Sequence, residues 1–139
     1  MLFRSNSHPG RPVHLIGHSG GGAMVVFILE SLPTDHKVTS AVLLAASISP
    51  KYDLSTALEH TDAGMWNYYS SRDMVFLRFG AVTMGTSDGK HGFAAGAVGF
   101  QTPGGLDYAH RRMYQEKLHQ QPFESAMSST GFQIGRAHV

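Results

Sequence analysis

Gly17-His18-Ser19-Gly20-Gly21 sets a serine among glycines at the spacing G-x-S-x-G, and Gly22 extends the glycine run. A serine hydroxyl is a weak nucleophile. It becomes an effective one when a base takes its proton and N–H groups receive the charge that develops on the attacked carbonyl oxygen. A sharp turn from a strand into a helix serves both needs, because it lifts the serine oxygen beside the unpaired N–H groups of the helix start. Ser19 is therefore the candidate nucleophile. Gly17 and Gly21 are expected to remove clashes within the turn, and Gly20 and Gly22 to let the helix start close onto the sheet. The N–H of Gly20, directly after the serine, is the expected oxyanion donor. His18 is a candidate for lining the substrate pocket.

Other glycine-rich turns fit less well. A Walker loop needs a lysine after its last glycine, whereas Gly21 is followed by Gly22 and Ala23. A dinucleotide turn needs G-x-G-x-x-G, which Gly17, Ser19 and Gly22 do not satisfy. His14 and His18 stand four apart on a strand and turn with no third ligand beside them, so no metal is expected. No cofactor is implied.

The elements around the motif have the right order to hold it. Residues 13–16 are a short apolar run of the kind found in buried strands, and residues 23–32 are apolar on nearly every face, as in a buried helix ended by Pro33. Residues 38–47 read as a strand buried on both faces. Strand, helix, strand makes a βαβ unit, hence a parallel sheet with a right-handed crossover. Further along, Asp53 is placed to cap a short helix over 54–59, residues 65–69 read as a third strand, and residues 74–79 as a helix capped by Asp73. Residues 80–105 are glycine-rich and predict turns and close backbone contacts. Residues 106–118 have helical spacing, and Pro122 is expected to open one more short helix.

From residue 12 to residue 50 the chain resembles the nucleophile strand, helix and following strand of the α/β-hydrolase superfamily, in its esterase and lipase branch. The likeness continues less specifically to about residue 114. It implies a partial α/β-hydrolase fold over residues 1–139, a mainly parallel sheet flanked by helices with the N-terminal strands missing. It also implies an acid after the second strand past the nucleophile, which is the position of Asp73, and a histidine further on. Asp62, Asp88 and Asp107 are the other acids downstream. His138, after Gly135-Arg136-Ala137, stands in the right chain order for the base, and His119 is the alternative. In the family a second oxyanion donor comes from a loop upstream of the nucleophile strand, and an HGGG motif is absent here. Residues 48–64 are too short for a large lid, which favours small esters.

Composition narrows the rest. Eleven Lys and Arg against ten Asp and Glu give a net charge of +1, so nothing draws the chain to nucleic acid or an anionic membrane. With 42% hydrophobic residues and 139 in all, one folded domain is expected. No run is long enough for a membrane span, and the first twelve residues lack the apolar core of a signal peptide. The absence of cysteine rules out a disulfide framework and suits a reducing compartment such as the cytoplasm. The expected partner is a small ester, with self-association through an exposed sheet edge as a second expectation.

Overall fold

The structure, a computed structural model, describes residues 10–70 and 94–123. Its sheet is built from β1 (His14–His18), β2 (Val38–Leu44), β3 (Thr61–Tyr69) and β4 (Leu118–Pro122). All neighbours are parallel, in the order β1-β2-β3-β4. The helices are α1 (Gly20–Glu30), α2 (Ser55–Glu59), the single turn α3 (Ala95–Val98) and α4 (Tyr108–Lys117). This is an α/β architecture, and among the described residues no helix is long and apolar enough to cross a membrane.

Strand order explains how the layers are arranged. Each strand joins the sheet beside its predecessor and on the same side. With right-handed crossovers, α1, α2 and α4 then fall on one face. That face holds the core. Leu15, Ala41, Met65 and Leu118 share a row across the four strands, and Ala23, Val26 and Leu29 of α1 with Leu58 of α2 and Tyr114 of α4 close over it. The opposite row is Ile16, Val42, Trp66 and His119. There Ile16 is 69% exposed, while Val42, Trp66 and His119 are only partly buried. The expectation that residues 38–47 are buried on both faces therefore holds for one face of β2. On the other, the described residues bring no helix across Val42 and Leu44.

Two segments differ from the sequence expectation. Pro122 is the last residue of strand β4; a helical residue follows at Phe123, and the residues expected to continue that helix lie outside the described residues. A proline at the end of an edge strand removes no ladder bond that the sheet needs. Residues 95–98 form a helical turn inside the glycine-rich stretch, while its earlier part lies outside the described residues, as does the helix expected over 74–79. Asp53 stands one residue further out than expected, since Leu54 is the N-cap of α2; from there its Oδ1 accepts from the N–H of Ser55 at 2.9 Å and from Ser55 Oγ at 2.6 Å, bracing the first residue of the helix.

Candidate active site

Ser19 is the last residue before α1 and has φ 54° and ψ −119°. These are the angles of the first central residue of a type II′ turn, a position dominated by glycine. A side chain held there carries strain of about 1–3 kcal/mol, tolerated only where the surroundings over-determine it. They do so here through the backbone. Ser19 N–H donates to Leu44 O at 2.9 Å, and Ser19 O accepts from Gly22 N–H and Ser47 N–H, both at 3.0 Å. The turn is thereby tied to the carboxyl end of β2 from both sides.

A serine at a helix N-cap ordinarily turns its oxygen onto the N–H groups of the next turn. Ser19 makes no such bond. Its hydroxyl is left for other work, and Gly20, as the first helical residue, presents an N–H with no acceptor inside the helix.

The glycines divide the labour differently from the sequence expectation. A Cβ on Gly17 would lie 2.2 Å from Gly21 O, and one on Gly22 would lie 2.9 Å from Ala46 Cβ. Both positions therefore require glycine. A Cβ on Gly20 or Gly21 would meet nothing within 4 Å. Gly21 takes part through its backbone, against which Gly17 packs. The close approach of α1 to the sheet rests on Gly17 and Gly22 and not on Gly20.

A cleft of 270 Å³ opens at the carboxyl ends of the strands, lined by His18, Leu44, Ala45, Tyr68, Ser70 and Phe123. Open parallel sheets hold their ligands in this place. His18 stands on the cleft wall as the residue before Ser19, although Ser19 itself is not part of the lining. The wall is largely apolar, with the His18 ring, the Tyr68 hydroxyl and Ser70 as its polar features.

The other sequence candidates fall in three groups. Asp73, Asp88 and His138 lie outside the described residues. Asp73 follows three positions after Ser70, which itself lines the cleft. Asp62 and Asp107 are described and lie away from Ser19. Asp62 is near the start of β3, at the far end of the sheet, where about 3.3 Å per residue puts it roughly 20 Å from Tyr68. Asp107 caps α4, accepting from His110 N–H at 2.8 Å. His119 lies in mid-strand on β4, its ring stacked on Trp66 with centroids 4.5 Å apart. Three strand spacings separate β4 from β1, roughly 14 Å, so its imidazole is held in the sheet and out of reach of Ser19.

Among the described residues the titratable group with a large shift, Tyr114, lies elsewhere, between α2 and α4. Burial pushes the Tyr114 hydroxyl up to about 12. That hydroxyl accepts from Leu54 N–H at 2.6 Å and donates to Asp53 at 3.0 Å. Hydrogen bonds, first of all from Ser55, hold the Asp53 carboxyl below its usual range. His110 is raised by its bond to Asp107, with Glu59 on its other nitrogen at 3.4 Å. Each of these groups is spent on tying helices together. Among the described residues no cluster of three or more His, Asp or Glu could hold a metal.

No protein-family model matches the chain, nor does any curated protein or solved structure. The functional reading therefore rests on the turn and the cleft.

Proposed function

We propose that this chain is a serine hydrolase of the α/β-hydrolase type that cleaves carboxylic esters, with Ser19 as its nucleophile. The observation that carries the reading is the Ser19 backbone: a non-glycine residue in glycine's region of conformational space, at a helix N-terminus, with its side chain not used as a cap. Strain of this kind persists at functional turns, and in this case it aims the hydroxyl instead of stabilising the helix.

In the proposed reaction Ser19 Oγ attacks the ester carbonyl carbon as an imidazole takes its proton. The N–H of Gly20 donates to the oxyanion. The same imidazole returns the proton to the departing alcohol, leaving an acyl-serine. Water, deprotonated by the imidazole, then releases the acid and restores Ser19. Asp73 is assigned the role of orienting that imidazole and His138 that of supplying it. The supporting facts are the chain order of Asp73 and His138 and the cleft, which is lined from the ends of β1, β2 and β3 and by Phe123.

Labelling with a fluorophosphonate tests the reading without a choice of substrate. A single adduct mapped to Ser19 by mass spectrometry, lost in Ser19→Ala, is the expected result. An adduct on Ser47 or on Ser71 instead would sink the assignment. A chromogenic short-chain ester then reads turnover, and Asp73→Asn should lower it by up to about 10⁴ if the carboxylate orients the base.

A second reading has an observation of its own. Ile16, 69% exposed on the open face of an edge strand, is the kind of surface that pairs with another chain. On this reading the chain is a non-catalytic module that keeps the shape of the fold and associates through β1. Oligomers by light scattering, together with no fluorophosphonate adduct, would favour it.

A further inference from the structure

We infer that the segment 94–101 is a strap that sets the end of β3 against the Ser19 turn, with Gly96 and Gln120 as positioning residues for the hydrolytic site; this rests on the reading of Ser19 as nucleophile. The strap runs past the carboxyl ends of β2, β3 and β4, bonding to the segment after β2, to Ser70 after β3 and to Gln120 of β4. Ala95 N–H donates to Ile48 O at 2.7 Å, Gly96 N–H to Ala46 O at 2.8 Å, and Gln101 N–H to Pro50 O at 2.7 Å. Gly96 O accepts from Ser70 N–H at 2.9 Å. Ser47, the residue after Ala46, donates to Ser19 O at 3.0 Å. A short run of peptide bonds and hydrogen bonds thus leads from the Ser19 carbonyl, through Ser47 and Ala46, to Gly96 and on to Ser70, three positions before Asp73 in the sequence.

Gly96 is the tightest point of this path. A Cβ there would lie 2.2 Å from Ala45 C and 2.6 Å from Ala45 O. Ala45 itself sits at φ 48°, a left-handed conformation costly for alanine, with its N–H on Tyr68 O at 2.9 Å. Backbone on backbone leaves no flexible side chain to yield, so any substituent at Gly96 must lift the strap from β2 and carry Ser70 with it. Gln120 anchors the other end. Its side-chain amide pairs with Phe100 in both senses, Phe100 N–H to Oε1 at 2.6 Å and Nε2 to Phe100 O at 2.9 Å, and Oε1 also accepts from Asn67 Nδ2 at 3.2 Å. The strap therefore registers β2, β3 and β4 at the end of the sheet where the cleft opens.

The test compares Gly96→Ala and Gln120→Met with the parent chain by amide hydrogen exchange and ester kinetics. In folded variants the amides of Ser70 and Ser47 should lose protection together, while that of Val26 in α1 keeps it. Turnover should fall about 10²-fold with KM little changed, the cost of a displacement of about 1 Å in a catalytic arrangement. If Gly96→Ala does not fold, Gln120→Met carries the comparison, and failure of both to fold would make the strap a purely structural element and overturn the inference. Parental kcat with Ser70 loosened would overturn it too, as would kcat falling only in step with the loss of folded protein. Fluorophosphonate labelling of the parent separates the two ideas. Without an adduct on Ser19 the hydrolase reading fails, and joint loss of protection at Ser70 and Ser47 still decides whether the strap couples the two ends.

Discussion

The carboxyl rim of the sheet and the corner between α2 and α4 use polar groups in opposite ways. At the rim, Ser19 and Ala45 hold positive φ, Gly17, Gly22 and Gly96 are packed with no room for a Cβ, and the Ser19 hydroxyl caps nothing. At the corner, Asp53, Ser55, Tyr114, Asp107 and His110 are bonded to one another or to backbone, and both helix starts are fixed by a carboxylate. The corner follows the rules for stability. The rim breaks them in one place, and a chain keeps strain where it serves something besides stability.

The sharpest way to break this comparison is at Ser19. Ser19→Ala should abolish ester turnover and labelling with no loss of stability. Ser19→Gly should abolish both and raise stability by about 0.5–1 kcal/mol, because glycine accepts the φ of 54° that serine resists. A denaturant melt beside the ester assay reads both, and a less stable Ser19→Gly protein would show that the turn is not strained. Next in size is Gly17→Ala. Its Cβ would strike Gly21 O, and backbone must move; overpacking of this kind typically costs about 1–3 kcal/mol. Thermal unfolding should show that loss together with loss of labelling, because the turn itself is displaced.

Tyr114→Phe sharpens the contrast from the other side. It removes the hydroxyl that receives the buried Leu54 N–H, at a cost of about 1–3 kcal/mol. Labelling of Ser19 should proceed at the parental rate in the folded fraction. A variant slowed in labelling but not in melting would mean that the corner serves the site after all. The smallest effect is electrostatic. His110 is raised above its ordinary value by Asp107, so its stabilising bond is fully present below the unfolded-state value and is lost as pH rises through the raised one. Asp107 is lowered, so its share is present above its ordinary value and fades as pH falls through the lowered one. Melting temperature should therefore decline slightly as pH rises past the ordinary range of histidine. His110→Ala should flatten that decline, and an unchanged slope would assign it to other groups.

The first half of this architecture is legible in the sequence because burial leaves a plain mark there. The apolar runs at 13–16, 23–32 and 38–47 become β1, α1 and β2 with ends moved by a few residues, and the glycines between them mark the turn. β3 begins earlier than its apolar core predicts. Thr61 to Gly64 are partly polar, and the pairing with β2 slips between Val38 and Ser40. β4 is illegible: Leu-His-Gln-Gln-Pro has no apolar alternation, since an edge strand is held by backbone bonds, by the stacking of His119 on Trp66 and by the Gln120 amide. The strap was hidden for a related reason. Alanine and glycine between 94 and 99 carry no pattern, and what they do is done by peptide groups. The turn at Ser19 could be read because Gly17 and Gly22 must be glycine, whereas the partners proposed for Ser19 depend on chain order alone.

The one-way order of the strands also bears on how this chain reaches its fold. Val13, just before β1, donates its N–H to Thr39 Oγ1 of β2 across 26 residues of chain, and a similar stretch brings β3 in. Asn67 and Gln120, which join β3 to β4, are 53 apart. Closing the longer loop costs more entropy and is not rewarded until β4 has docked. β1, β2 and β3 can therefore assemble in the order of synthesis, while β4 and the strap it anchors come last. The Ser19 turn is bonded to β2 from the start, but the register of the rim around it is completed by the final event of folding, so a chain interrupted before residue 118 would hold the strained serine without the frame around it.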